Sequence, residues 1–154
     1  MNHDKELDEI YAEVPALTCK KKCWRSCGVV PAFMVEAERM ARYLDRPIES
    51  FALATSDVTV MLWDRAIDDG LAAPIPEDRC PLLRFNECSV YPVRPLICRL
   101  YGIVPRMKCQ WGCEPERPFG DDQAHELLAR VAALTVPPIV HGQRPPKRKR
   151  RDQK

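Results

Sequence analysis

Eight cysteines constrain this chain of 154 residues more than any other feature of its sequence. They form three groups, with the spacing Cx3Cx3C in the first, wide gaps in the second and Cx3C in the third. The groups consist of Cys19, Cys23 and Cys27, then Cys80, Cys88 and Cys98, then Cys109 and Cys113. A chain of this length usually forms about one domain, so the sequence predicts that all these thiols belong to one small fold.

The start of the chain and its hydropathy predict the cellular compartment of the protein. The first ten residues, "MNHDKELDEI", are acidic, whereas a secretory signal is basic and then apolar. No run approaches the ~18 apolar residues that are needed to span a bilayer. We therefore expect a cytoplasmic protein without a membrane segment, where clustered cysteines more often bind metal or carry redox chemistry than form disulfides.

The type and spacing of these residues favour a metal site. Zinc and iron–sulfur clusters prefer thiolate ligands, usually four per site. Spacings of three residues place successive thiols around one turn or loop, close enough to share an ion. Basic residues lie among the first group and beside Cys98, and positive charge favours the thiolate. These basic residues are Lys20, Lys21, Lys22, Arg25, Arg94 and Arg99. All eight cysteines are therefore candidate ligands for zinc or an iron–sulfur cluster.

Two other interpretations compete with metal binding. A free cysteine is a common small core residue, and one or two of the eight could serve in that way. Disulfides are the second alternative, and the expected reducing compartment disfavours them. The three histidines, His3, His125 and His141, are predicted to be surface residues rather than ligands.

Hydrophobic periodicity predicts a mainly α, small and irregular metal-stabilised domain with a short β-hairpin. Helices are predicted over 3–14, 33–44 and about 121–135, the last with Asp121 as its cap. A hairpin is predicted over 80–91, with Asn86 and Glu87 near its turn, and a short helix then closes before Gly102. A further short helix that starts at Asp45 or Arg46 and a strand over 57–64 complete the prediction.

Charge divides the chain into a folded part and a tail. Residues 144–154 hold seven basic residues and one acid, whereas the rest holds 17 basic and 21 acidic residues. We therefore expect an N-terminal helix over 1–18, a cysteine-cluster domain with the C-terminal helix over 19–136, and a disordered basic tail over 137–154. The tail is expected to be solubilising, and residues 144–154 could alternatively bind a nucleic acid or an acidic protein.

One stretch, "CPLLRFNECSVYPVRPLICRLYG", resembles the YkgJ family of cysteine-cluster proteins, which are zinc- or iron-chelating domains. The family's block C-x-[IV]-Y-x-x-R-P-x-x-C-R occurs here as Cys88, Val90, Tyr91, Arg94, Pro95, Cys98 and Arg99. Cys80 matches the family's separated cysteine, and the resemblance covers about 19–113. The first group departs from the family's CxxCxxCC, and Cys113 is the candidate for the ligand that is missing.

The resemblance implies a role for the residues around the ligands. Pro92 and Pro95 would fix the backbone between Cys88 and Cys98. The neighbouring side chains of Arg94 and Arg99 are expected to donate to a sulfur or a backbone carbonyl, or to pair with a carboxylate.

The function that the resemblance implies is metal binding without self-evident catalysis. An enzyme is the first alternative, because a related cysteine cluster occurs in the flagellin lysine methylase family and could support cluster-dependent methyl transfer. The chain has neither a Gly-rich nucleotide loop nor the radical-SAM spacing Cx3CxxC. The second alternative is a zinc module that binds nucleic acid through its basic tail.

Overall fold

A computed structural model describes residues 2–25, 27–28, 32–47 and 79–135. Within these residues the chain is mainly α with one short antiparallel hairpin, as predicted. The elements are α1 Asp4–Ala12, α2 Met34–Leu44, β1 Leu83–Arg84, β2 Glu87–Cys88, α3 Leu96–Leu100 and α4 Asp121–Thr135. The predictions of a short helix after Arg46, a strand over 57–64, a surface position for His141 and a disordered tail lie outside the described residues.

The main core forms where the apolar faces of α1, α3 and α4 meet. Its buried members from these helices are Leu7, Ile10 and Tyr11, Leu96 and Leu100, and Ala124, Leu127, Leu128 and Val131. The apolar faces that helical periodicity predicts for the first and last helices therefore do face inward. Helix α3 is only five residues long, so its stability comes from packing rather than from intrinsic helix propensity. None of the helices in the described ranges is long and apolar enough to cross a membrane.

Helix α2 contributes to two clusters of buried residues. Val35 belongs to the main core. Ala37 and Met40 pack instead with Val90 and Val93 in a second cluster, against which the partly buried Cys88 is placed. The segment between β2 and α3 therefore packs directly on α2.

Two ion pairs also join α1 to α2, one exposed and one with a largely buried arginine. Arg39 pairs with Asp8 and Arg42 pairs with Asp4, each at 2.6 Å. An exposed pair such as Arg42 with Asp4 contributes little to stability, typically about 0.2–1 kcal/mol. These ion pairs therefore connect the two helices but are not the main source of stability of the fold.

The start of α4 differs in detail from the prediction. Asp121 is the first residue of the helix and not its cap. The side chain of Gln123 reaches back to accept a hydrogen bond from the Gly120 N–H at 2.9 Å. Asp121 pairs instead with Arg106 at 2.8 Å, and a carboxylate in the first turn also interacts favourably with the helix dipole.

The hairpin turn lies at Phe85 and Asn86, one residue earlier than predicted. Leu83 is paired with Cys88 and Arg84 with Glu87, so two residues form the turn. Both adopt the left-handed backbone conformation, with φ of 50° at Phe85 and 66° at Asn86. Positive φ at both central residues is what a two-residue turn of type I′ requires. Because Asn adopts this conformation readily and Phe only rarely, the sequence indicated the region of the turn but not its register.

Candidate functional site

Two isolated antiparallel bridges bring the cysteines together. All eight cysteines lie within the described residues, and each carries a free thiol there. One bridge pairs Leu17 with Pro115, and the other pairs Gly28 with Arg79. The segment that holds the first three cysteines is thus joined at one end to the last cysteine pair and at the other end to the start of the hairpin region.

The bridge at Gly28 builds the first group of four thiols. It places Cys27 opposite Cys80, and the Cys80 N–H donates to the Cys27 carbonyl at 3.0 Å. Their thiols are hydrogen-bonded to each other, and the charges of Cys88 and Cys98 also act on Cys27. Cys88 lies opposite Leu83 in the hairpin, and the Leu83 N–H donates to the Cys80 carbonyl at 3.1 Å. We call Cys27, Cys80, Cys88 and Cys98 the hairpin group.

The bridge at Leu17 builds the second group. Continued by two residues, its register places Cys19 opposite Cys113, and the Lys20 N–H donates to the Cys113 sulfur at 3.3 Å. The Cys113 thiol is hydrogen-bonded to that of Cys109. Burial raises the pKa of Cys23, and the charges of Cys19 and Cys109 raise it further. We call Cys19, Cys23, Cys109 and Cys113 the loop group.

The structure therefore redistributes the three sequence groups into two spatial groups. Cys27 leaves its sequence neighbours for the hairpin group, while Cys19 and Cys23 join the last pair. Each thiol–thiol interaction described above joins two members of the same group. The sequence singled out all eight residues, but it did not indicate this division.

Backbone N–H groups donate to the sulfurs of both groups. In the loop group Cys19 accepts from Lys21 at 3.2 Å, and Cys109 accepts from Trp111 and Cys113. In the hairpin group Cys80 accepts from Leu82 and Leu83, and Cys88 accepts from Val90. A hydrogen bond to the charged form of a group stabilises that form. The local backbone around each group thus favours the thiolate.

The thiols of the hairpin group differ in pKa. The hydrogen bond from Cys27 lowers the pKa of Cys80 to about 6, and the same contact raises the pKa of Cys27. Burial raises the pKa of Cys98 to about 12, with further contributions from the charges of Glu36 and Cys88. Burial also raises the pKa of Cys88. These shifts favour the thiolate at Cys80 and the neutral thiol at Cys27, Cys88 and Cys98, so a metal ion would have to displace thiol protons.

The thiols of the loop group are influenced by Lys20. Burial raises the pKa of Cys109, but backbone hydrogen bonds, the Cys113 thiol and the Lys20 charge outweigh it and lower the pKa overall. The Lys20 N–H lowers the pKa of Cys113, whereas burial and the bond to Cys109 raise it, and the net shift is upward. The Lys20 ammonium is fixed by a bond of 2.7 Å to the Trp111 carbonyl. The positive charge of Lys20 beside the loop group agrees with the expectation from the sequence that basic residues lie near the thiols.

Arg94 and Arg99 both donate to backbone carbonyls between Cys88 and Cys98. Arg94 donates to the Tyr91 carbonyl at 3.1 Å. Arg99 donates to the carbonyls of Arg94 and Pro92, at 3.0 and 2.7 Å. The charge of Arg94 also lowers the pKa of Cys88 and Cys98. These contacts fix the loop between the two cysteines, which is one of the roles expected for these arginines.

Sequence analysis did not identify Glu36, which lies beside the hairpin group. It is one of several acids in α2, but its side chain is only 2 % exposed. Its charge acts on Cys98 and its Oε1 accepts the Leu96 N–H at 2.7 Å. The available signal was its place three residues after Phe33, because a Glu at this position often accepts the N–H of the residue that precedes the helix.

The two groups are not closed around a centre. Among the residues that the structure describes, no three His, Cys, Asp or Glu side chains are arranged in a way that could hold a metal ion. The chemistry of each donor set nevertheless fits a metal site, since four thiols match the ligands of a structural zinc ion or an iron–sulfur cluster.

Gly102 lies where a side chain would disturb the loop group. Its φ is 81°, and a Cβ there would lie 3.1 Å from Leu17 Cδ2 and 3.3 Å from Cys109 Cβ. We expect Gly102→Ala to destabilise the fold by about 2–4 kcal/mol, because left-handed strain and crowding add. Urea unfolding measures this loss. Gly112→Ala is the matched control: it has the same strain at φ 71°, but its nearest neighbour, Lys20 Nζ, is 3.8 Å away. An equal loss in both variants would contradict the close approach.

Comparison with known proteins does not identify a relative: no family model, no curated protein and no solved structure matches this chain. The resemblance to the YkgJ family therefore stays a prediction that rests on the quoted motif.

Proposed function

We propose that this chain is a metal-binding protein that uses two groups of four cysteine thiolates to hold zinc or iron–sulfur clusters. The observation that carries the proposal is the convergence of eight cysteines, far apart in sequence, into the hairpin group and the loop group. Cysteines that only fill space in the core would not be expected to gather in two groups of four. Disulfides are the competing interpretation, and the reducing compartment that the sequence predicts disfavours them.

Support for the proposal also comes from the surroundings of the thiols. Backbone N–H donors and the charges of Lys20 and Arg94 favour thiolates, which are the form that binds metal. Metal binding requires each group to lose its remaining thiol protons and to close around the ion. A bound zinc ion would supply a structural link between distant segments, and an iron–sulfur cluster would supply electron transfer.

The proposal includes the family and the compartment. Membership of the YkgJ family would account for the block from Cys88 to Arg99, in which both arginines fix the backbone between two thiols. A cytoplasmic location would keep eight thiols reduced and available for metal.

Purification without oxygen, followed by elemental analysis and a visible spectrum, tests the proposal. We expect about two zinc ions per chain in a colourless protein, or iron with acid-labile sulfide in a brown one. Iron with sulfide would direct further work to redox or methyl-transfer chemistry. A chain that contains no metal, and whose thiols all react with iodoacetamide at the same rate with and without added zinc, would contradict the proposal.

A further inference from the structure

Glu36 is the one charged side chain that is buried among the described residues. Its two carboxylate oxygens accept three hydrogen bonds. Oε1 accepts from the Tyr11 hydroxyl at 2.8 Å and from the Leu96 N–H at 2.7 Å, and Oε2 accepts from the Phe33 N–H at 3.1 Å. A buried carboxylate is costly unless it is satisfied in this way. An apolar side chain would fill this place without three hydrogen bonds, so the stability of the core alone does not account for a carboxylate here.

The three donors connect the carboxylate to three helices. Tyr11 is on α1, Phe33 immediately precedes α2, and Leu96 is the first residue of α3. Cys98 follows Leu96 by two residues within the same short helix. Since the residue before α3 is Pro95 and makes no side-chain cap, Glu36 supplies the acceptor for the Leu96 N–H. The carboxylate thereby fixes the start of the helix that carries Cys98.

Arg99, near the end of the same helix, adds further contacts. Its guanidinium lies over the Tyr11 ring at 4.2 Å and donates to the carbonyls of Pro92 and Arg94. The Tyr11 ring thus contacts Arg99 while its hydroxyl bonds to Glu36. Residues on both sides of Cys98 are connected through one aromatic side chain, and this arrangement leaves the helix little freedom to rotate.

From these contacts we infer that Glu36 is a positioning residue for the hairpin group, which sets the place and direction of Cys98 through the Leu96 N–H without binding metal itself. This inference rests on the proposed function. A glutamine has the same shape but would present an NH₂ group, a donor, where the carboxylate has an acceptor. Because Oε1 serves Leu96 and Oε2 serves Phe33, either orientation of the amide sets its NH₂ group against one of these two backbone N–H groups and displaces the side chain from its present position. Groups that orient a metal ligand typically change metal affinity about 10- to 100-fold when they are replaced.

Alkylation mapped at each cysteine tests this role. The full chain, loaded with zinc alone, is treated with iodoacetamide under a fixed excess of chelator, and mass spectrometry follows each thiol. In Glu36→Gln we expect Cys88 and Cys98 to react about 10- to 100-fold faster than in the wild type. Cys109 and Cys113, in the loop group, should react at the wild-type rate. Glu38→Gln makes the same chemical change two residues further along α2 and should alter neither group.

The loop group is an internal standard for general loss of stability. If Glu36→Gln exposes both groups to the same degree, or exposes neither, the inference is wrong and the proposed function stands. If the wild-type chain gains no protection from zinc at any thiol, the proposed function fails and the inference fails with it. Tyr11→Phe removes the hydroxyl donor and keeps the bond between Glu36 and Leu96, so the hairpin group should react near the wild-type rate. An effect as large as that of Glu36→Gln would mean that the Leu96 N–H is not the route by which Glu36 positions Cys98.

Cobalt(II) provides a readout that a loss of stability alone would not change. At saturating cobalt(II), the visible ligand-field bands report the geometry of the bound thiolates. We expect these bands to change in Glu36→Gln and to match the wild type in Glu38→Gln. Wild-type bands in saturated Glu36→Gln would show that Cys98 is positioned without Glu36 and would overturn the inference.

Discussion

The Cys98→Ser variant is expected to bind about half as much metal as the wild-type chain, because a serine hydroxyl is a poor substitute for a thiolate ligand. The loss should be confined to the hairpin group, in which Cys98 interacts with Cys80 and Cys88. Since metal-binding energy is also folding energy, the thermal midpoint should fall as well. Elemental analysis of the purified variant, together with its thermal unfolding, measures both effects.

Cys113→Ser is the reciprocal variant, because its thiol lies in the loop group and is hydrogen-bonded to Cys109. It should also lose about half of the metal, and this time the hairpin group should retain its ion. The double variant with both changes should bind none. Complete loss of metal from either single variant would mean that the eight thiols form one shared centre, and the division into two groups would then be wrong.

The Leu96→Ala variant is expected to lose about 2–5 kcal/mol of unfolding free energy. The Leu96 side chain is 0 % exposed within the main core, so its removal leaves a cavity among residues of α1, α3 and α4. Because small domains are stable by only about 5–15 kcal/mol, a loss of this size is a large share of the total. Urea unfolding of the metal-loaded protein, followed by circular dichroism, measures it.

Leu134→Ala is the matched control for this cavity. Leu134 packs against the same core but is only partly buried, near the end of α4. Its truncation should cost roughly 1 kcal/mol, because less surface returns to water and no enclosed space is created. If both variants lose the same stability, α3 is not anchored in the core in the way that its burial indicates.

Hydrophobic periodicity was sufficient to predict the three longer helices. The stripe of Ala124, Leu127, Leu128 and Val131 is buried, as a period of 3.6 residues requires. Helix α2 follows the same rule at Ala37 and Met40. Its polar face was harder to interpret, because hydrophobic periodicity does not separate the buried Glu36 from the other charged residues of the helix, and its place after Phe33 indicates a capping bond but not burial. Burial of a carboxylate depends on donors from distant segments, here Tyr11 and Leu96.

The candidate site was predictable by residue type but not by arrangement. Thiol chemistry pointed to all eight cysteines, whereas their division depends on two bridges between segments that are distant in sequence. Local spacing suggested that Cys27 belongs with Cys19 and Cys23. The pairing of Gly28 with Arg79 instead carries it to Cys80. Such long-range pairing is a property of the folded chain, and no local rule of sequence determines it.

The two bridges also have a consequence for the order of events during synthesis. The contact between Lys20 and the Cys113 sulfur spans 93 positions of the chain. Closing a loop of this length costs conformational entropy, and contacts between residues far apart in sequence form more slowly than a helix does. The loop group is therefore expected to assemble late in folding. On a ribosome, Cys19 and Cys23 would emerge long before their partners. The proposed loop-group site therefore becomes complete only after Cys113 has emerged, so Cys19 and Cys23 must stay reduced and unoccupied while the residues between them and Cys113 are made.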